Sequence, residues 1–146
     1  RCLLNNTQFT QEIKIEMKIQ KKYHFYAAHR NKEAGEKCGR IHGHTYDVVC
    51  IFDLEMNGGL TVLFSDIDAK VEPIIKEYDH YLILHEQDTL CAVLDLANEE
   101  YKSLPFQTSA ENMCIWLFNR IKRETGLNIV RIELAETKSS NVIYEQ

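Results

Sequence analysis

Three histidines and a cysteine fall within sixteen residues of this chain: His29, Cys38, His42 and His44. His42 and His44 stand at i and i+2, so in an extended segment both imidazoles point to one side. A third imidazole ending a neighbouring strand completes a facial set of three nitrogens. That set suits catalytic zinc, because three protein ligands leave a fourth position for water or substrate. Cys38 has two readings. It is a fourth ligand that closes a structural site, or it is a free thiol beside the metal, acting as base or nucleophile. The spacing leaves both open.

Two further groups carry chemistry. Asp79-His80 follows an apolar helical pattern. It reads either as a helix end with a favourable cationic histidine or as an acid/base pair whose carboxylate fixes the imidazole tautomer. The residues alone favour the helix end. Glu136 shares the parity of Val130, Ile132 and Leu134 and so faces inward at a strand's end. A buried carboxylate needs partners, and a ligand with two adjacent N–H groups satisfies both oxygens. A salt bridge or a break in parity at the strand end is the competing reading.

The elements that position these groups follow from periodicity. Ile13 to Ile19 alternates apolar and polar, and the same parity continues through Tyr23, Phe25 and Ala27 to His29. This predicts one strand whose core side carries His29 at its end. Residues 1–11 read as a loose lead-in and residues 30–40 as a loop. A second strand is predicted from His42 to Leu54, with apolar residues on both faces. Asn57-Gly58-Gly59 signals a turn. Ser65-Asp66 offers a helix N-cap, ahead of Ile67, Val71, Ile74, Ile75 and Tyr78 at helical spacing. Pro73 lies inside that pattern and is expected to kink or interrupt it.

Residues 79–104 hold a short apolar run, Tyr81 to Leu84, and a helical piece near Leu90–Ala97. Thr108-Ser109-Ala110-Glu111 reads as a capping box for a second long helix, which Gly126 stops. Val130 to Leu134 and Val142 to Tyr144 read as the last two strands. Two hairpins flanking two helices predict an α+β domain over residues 1–146: a four-stranded antiparallel sheet with helices on one face.

Composition sets the outer bounds. The chain has 146 residues, 45% hydrophobic and 27% charged, with a net charge of -5. That balance argues against a nucleic-acid partner. The segment from Lys21 to His44 nevertheless holds six cations against two anions. It is either a solvated loop or a local attraction for a small polyanion. Five cysteines without a framework, two of them in apolar runs, fit a reducing, cytoplasmic setting. No signal peptide or membrane-spanning run is evident.

Taken together, the motifs resemble those of the 6-pyruvoyltetrahydropterin synthase / 6-carboxytetrahydropterin synthase family. The likeness extends from about Ile13 to Tyr144. It is carried by Phe25 to Arg30, Cys38 to Tyr46, Tyr78-Asp79-His80, Thr108 to Asn112 and Glu136-Thr137, in that order. The resemblance implies the tunnelling fold (T-fold), in which three subunits close a barrel and two trimers stack into a homohexamer. It implies zinc on His29, His42 and His44, a catalytic thiol at Cys38, and acid/base partners at Asp79 and His80. Glu136 then grips the amino-pyrimidinone edge of a pterin, and the Thr108-Ser109 turn lines the pterin pocket.

Within the family, the short gap from Cys38 to His42 resembles the 6-carboxytetrahydropterin synthases of queuosine biosynthesis. These are zinc-dependent lyases that act on 7,8-dihydroneopterin triphosphate and release acetaldehyde and triphosphate. The sister activity is 6-pyruvoyltetrahydropterin synthase, which eliminates triphosphate without breaking a carbon–carbon bond. A third subgroup has glutamate in place of the cysteine, and Cys38 argues against it. A reading of another class is a zinc-stabilised binding protein without turnover. The chain departs from the family pattern in lacking a proline beside Thr108 and in a longer 85–104 segment that carries the extra His85.

Overall fold

The computed structural model describes residues 16–55 and 62–146. The expected lead-in at residues 1–11, the strand start at Ile13 and the Asn57-Gly58-Gly59 turn lie outside the described residues. The chain order is β1 (Glu16–His29), β2 (His42–Glu55), α1 (Phe64–Lys76), β3 (Tyr81–His85), α2 (Leu90–Ala97), β4 (Lys102–Leu104), α3 (Ala110–Thr125), β5 (Ile129–Thr137) and β6 (Ser140–Glu145). One turn of 3-10 helix, Lys32–Ala34, lies between β1 and β2.

The sheet order is β4-β3-β1-β2-β5-β6. Its β1-β2-β5-β6 portion is the antiparallel sheet expected from the two hairpins. The expectation of four strands needs correction, because the described sheet has six and is mixed. β3 adds to β1 in parallel and β4 adds to β3 in parallel. Helices intervene before β3 and β4, as parallel neighbours require. The count of two helices is corrected likewise, since α2 is a third, placed where the apolar piece at 90–97 suggested.

Alternation along β1 and β2 builds the core. Phe25 and Ala27 on β1, and Tyr46, Val48, Cys50 and Phe52 on β2, are all buried. Phe25 stacks on Tyr46 with ring centroids 4.7 Å apart. From the other side, α1 contributes Ile67, Val71, Ile74 and Ile75, and α3 contributes Met113, Cys114, Leu117, Phe118 and Ile121. Each large apolar side chain so buried contributes about 1.5–3 kcal/mol. Among the described residues Cys50, Cys91 and Cys114 are buried free thiols and Cys38 is exposed.

Four local expectations change. α1 starts at Phe64, so Ser65 is not its cap; the Leu63 carbonyl instead accepts the Asp66 and Ile67 amides. Pro73 does not interrupt α1, which ends three residues later at Lys76. Pro73 and Ala69 are both exposed, so solvent can reach the carbonyl that Pro73 leaves unbonded. α3 is capped by Ser109, whose hydroxyl accepts the Asn112 amide at 3.3 Å, and not by Thr108. On β5 a register shift pairs Phe52 with Ile129, so Ile129 rather than Val130 enters the core. Gly126 ends α3 in the left-handed region, as expected.

Candidate metal and substrate pocket

Register places the three imidazoles together. His29 is paired with His42, and Ala27 with His44, across the β1–β2 ladder. The strand ends coincide, so one turn of pleat brings the three rings onto the core side. Ring centroids lie 4.6 Å (His29–His42), 5.2 Å (His29–His44) and 4.9 Å (His42–His44) apart. Their ligand nitrogens lie within 4.8 Å of one another.

The ring tautomers suit a metal. His29 Nδ1 donates to the Thr108 carbonyl at 2.6 Å, and His42 Nδ1 donates to the Arg40 carbonyl at 2.8 Å. Each bond leaves the Nε2 lone pair free to ligate, the usual backing of a ligand histidine. His29 Nε2 and His44 Nε2 are buried without a hydrogen-bond partner. Such atoms are costly to bury unless something binds them. Burial, the dominant effect, holds the His29 imidazole below its usual range and so favours the neutral, ligating form.

These rings open into a cavity of about 460 Å³. Cys38, Ser109 and Glu136 line it with them, as does Asn31. Cys38 is not part of the close histidine cluster. Its loop is held by a turn in which the Gly39 amide donates to the Gly35 carbonyl at 2.8 Å. A Cβ on Gly39 would lie 2.9 Å from that carbonyl oxygen, so the turn beside the thiol needs glycine there.

Glu136 sits near the end of β5, where pairing with β6 becomes irregular between Ala135 and Thr137. Its Oε1 lies 3.6 Å from His29 Nε2 and accepts the Tyr46 hydroxyl at 3.4 Å. Burial first, and Glu136 second, push the Tyr46 phenol well above its usual range, so it stays a donor. Tyr46 lies beside this carboxylate, although the sequence assigned it no role beyond the Cys38 to Tyr46 motif; its position two residues after His44 was the available signal. Thr108 is 1% exposed and reaches the site through its carbonyl, while Ser109 lines the cavity.

Asp79 and His80 are not brought to this cavity. They pair with each other at 3.0 Å, and the His80 side chain is 76% exposed. Asp79 Oδ1 accepts the Tyr26 amide at 2.8 Å, and the His80 amide donates to the Tyr26 carbonyl at 2.6 Å. The amide bond from Tyr26 is the main cause that holds the Asp79 carboxyl below its usual range. His80 has φ +66°, unusual for a non-glycine residue. His80 lines a second concavity with Tyr26, Gly43, Thr45 and Leu82, and His44 lines both this one and the first. His85 ends β3, its Nδ1 lies 3.5 Å from Gln107 Nε2, and it is not part of the histidine cluster.

The model of a family described as 6-pyruvoyl tetrahydropterin synthase matches residues 18–146. The chain belongs to that family. Among relatives in the 6-pyruvoyl tetrahydropterin synthase family, it is 32% identical to 6-carboxy-5,6,7,8-tetrahydropterin synthase of Haemophilus influenzae over 139 residues, covering 88% of this chain and 99% of that one. It is 28% identical to the protein of the same name from Synechocystis, covering 86% and 91% of the two chains. The fold is that of the family's solved structures. The Caenorhabditis elegans 6-pyruvoyl tetrahydropterin synthase superposes with a TM-score of 0.68 at 17% identity, covering 91% of this chain and 97% of that one. The Plasmodium vivax protein superposes at 0.71 with 19% identity, covering 90% and 98%.

Proposed function

We propose that this chain is a zinc-dependent 6-carboxy-5,6,7,8-tetrahydropterin synthase. It takes 7,8-dihydroneopterin triphosphate and water to 6-carboxytetrahydropterin, acetaldehyde and triphosphate. The observation that carries this reading is the convergence of three free imidazole nitrogens, a thiol and a carboxylate on one cavity. Relatives that bear this name match along most of both chains.

His29, His42 and His44 are the residues that hold the zinc. When bound, the metal acts as a Lewis acid toward an oxygen in its open position. Glu136 orients the substrate by accepting two N–H groups from the amino-pyrimidinone edge. Ser109, at the start of α3, lines the same cavity. The Cys38 thiolate takes the proton from the side-chain carbon next to the ring. His80, oriented by Asp79, transfers the matching proton. Triphosphate leaves by C–O cleavage, and one carbon–carbon bond of the side chain breaks to release acetaldehyde.

Within one chain His80, the partner of Asp79, lines a different concavity from Cys38. Its catalytic role therefore requires the pocket of a neighbouring copy. A barrel of three subunits, stacked as a dimer of trimers, supplies that neighbour. The enzyme acts on a small molecule in the cytoplasm, without a nucleic-acid or membrane partner. No helix among the described residues is long and apolar enough to cross a membrane.

Anaerobic incubation of the zinc-loaded protein with dihydroneopterin triphosphate, with products identified by mass, tests this. Carboxytetrahydropterin with equimolar acetaldehyde is the expected result. A pyruvoyl pterin would identify the sister reaction instead, and no turnover would favour a zinc-stabilised binding protein.

A further inference from the structure

We infer that Asn31 contacts the substrate, its amide oxygen accepting a hydrogen bond from a hydroxyl of the pterin's polyol side chain. This rests on the pterin reading above. Asn31 lines the cavity shared by the histidines, Cys38 and Glu136. Its Oδ1 is buried and has no hydrogen-bond partner. Buried polar atoms in folded proteins are nearly always paired, so an orphan in a ligand cavity is a place where a ligand's donor belongs.

The local structure sharpens the point. Asn31 occupies the N-cap of the Lys32–Ala34 turn, where asparagine ordinarily spends its side chain on a backbone amide, yet it makes no such bond. Its backbone is held firmly. The Asn31 amide donates to the Cys38 carbonyl at 2.7 Å, and the Asn31 carbonyl accepts the Ala34 amide at 3.1 Å. The flanking residues are tied down as well: Arg30 forks onto Asp88, and Lys32 reaches the Thr89 hydroxyl at 3.2 Å. The backbone that carries this side chain is thus fixed before any ligand arrives.

Chemistry selects the group it meets. The free atom is an acceptor, so it needs an O–H or N–H. The pterin's N–H edge is taken by Glu136 on β5. Asn31 is bonded to the Cys38 backbone and so belongs to the thiol's end of the cavity, where the proposed proton transfer at the side-chain carbon puts the substrate's hydroxyls.

The test compares two unphosphorylated ligands: neopterin, whose side chain carries hydroxyls, and 6-methylpterin, whose side chain has none. Affinities are measured by fluorescence quenching on the zinc-loaded wild type, on Asn31→Ala, and on Asn31→Leu, which preserves volume. Loss of one neutral hydrogen bond lowers the preference for neopterin about ten-fold in both variants, with 6-methylpterin affinity and zinc content unchanged. An unchanged preference, or equal loss for both ligands, overturns the role of Asn31. Wild-type protein that binds neither pterin overturns the pterin reading and this inference with it.

Discussion

His29 on β1 is bonded to the carbonyl of Thr108, 79 positions away, at 2.6 Å. The bond joins the strand that ends in a proposed metal ligand to the residue just before the cap of α3. It aims the free Nε2 of His29 at the same point that His42 and His44 face. Removing any one imidazole therefore dismantles the site. His29→Ala, His42→Ala and His44→Ala should each weaken zinc binding by at least about 100-fold, more than loss of a backing group alone. Competition with a chromophoric chelator reads this directly, and retention of wild-type affinity in His44→Ala would remove it from the ligand set.

Glu136 should matter for the pterin and not for the metal. Glu136→Gln keeps the shape but replaces one acceptor oxygen with a donor. Pterin affinity should fall about ten- to a hundred-fold, the range for hydrogen bonds to a charged group. Calorimetric titration with neopterin, alongside zinc analysis of the same samples, checks both halves.

The separation of His80 from Cys38 predicts complementation between chains. Cys38→Ala and His80→Ala should each be inactive alone, and Cys38→Ala should retain zinc. Mixed oligomers, formed by co-refolding the two variants, should regain turnover because some pockets receive a thiol from one chain and an imidazole from its neighbour. Hybrids that stay inactive would place His80 outside the reaction.

Asp88 gives the fold an acid-sensitive brace. Its carboxylate takes the Arg30 fork, caps α2 through the Leu90 amide at 2.9 Å and faces Lys32 at 3.7 Å. These partners, Arg30 foremost, lower its pKa from the ordinary 3.8 to about 2. A depressed carboxylate stabilises the fold above the unfolded-state pKa and loses that contribution as pH falls through the folded one. Unfolding free energy should therefore decline between about pH 4 and pH 2, and Asp88→Asn should flatten that decline while lowering stability at neutral pH. Urea titrations across this range measure the slope.

Much of the site was legible because it is written in strand parity. His29 follows Phe25 and Ala27, and His42 and His44 precede Tyr46 and Val48, so a pattern of period two placed all three on the core side. Glu136 followed from the same rule, although the bulge at Ile129 shifts the start of its strand. The 79–104 segment was harder to read. Its strands are three and five residues long and pair in parallel, so their partners are set by tertiary packing and not by a turn. Ser109 displaced Thr108 as the cap because the Thr108 carbonyl is engaged with His29, a contact no local pattern announces. Asn31 was invisible for a similar reason: its significance lies in a bond it does not make.

The proposed chemistry needs an open three-histidine metal site with Cys38 free to act on the substrate. X-ray absorption at the zinc edge of the loaded protein distinguishes such a site from a closed one. Three histidine nitrogens and one oxygen are expected at about 2.0–2.1 Å, with the oxygen replaced by a substrate oxygen when the pterin is added. A sulfur shell at about 2.3 Å would make Cys38 the fourth ligand of a closed site and rule out its role as the reacting thiol.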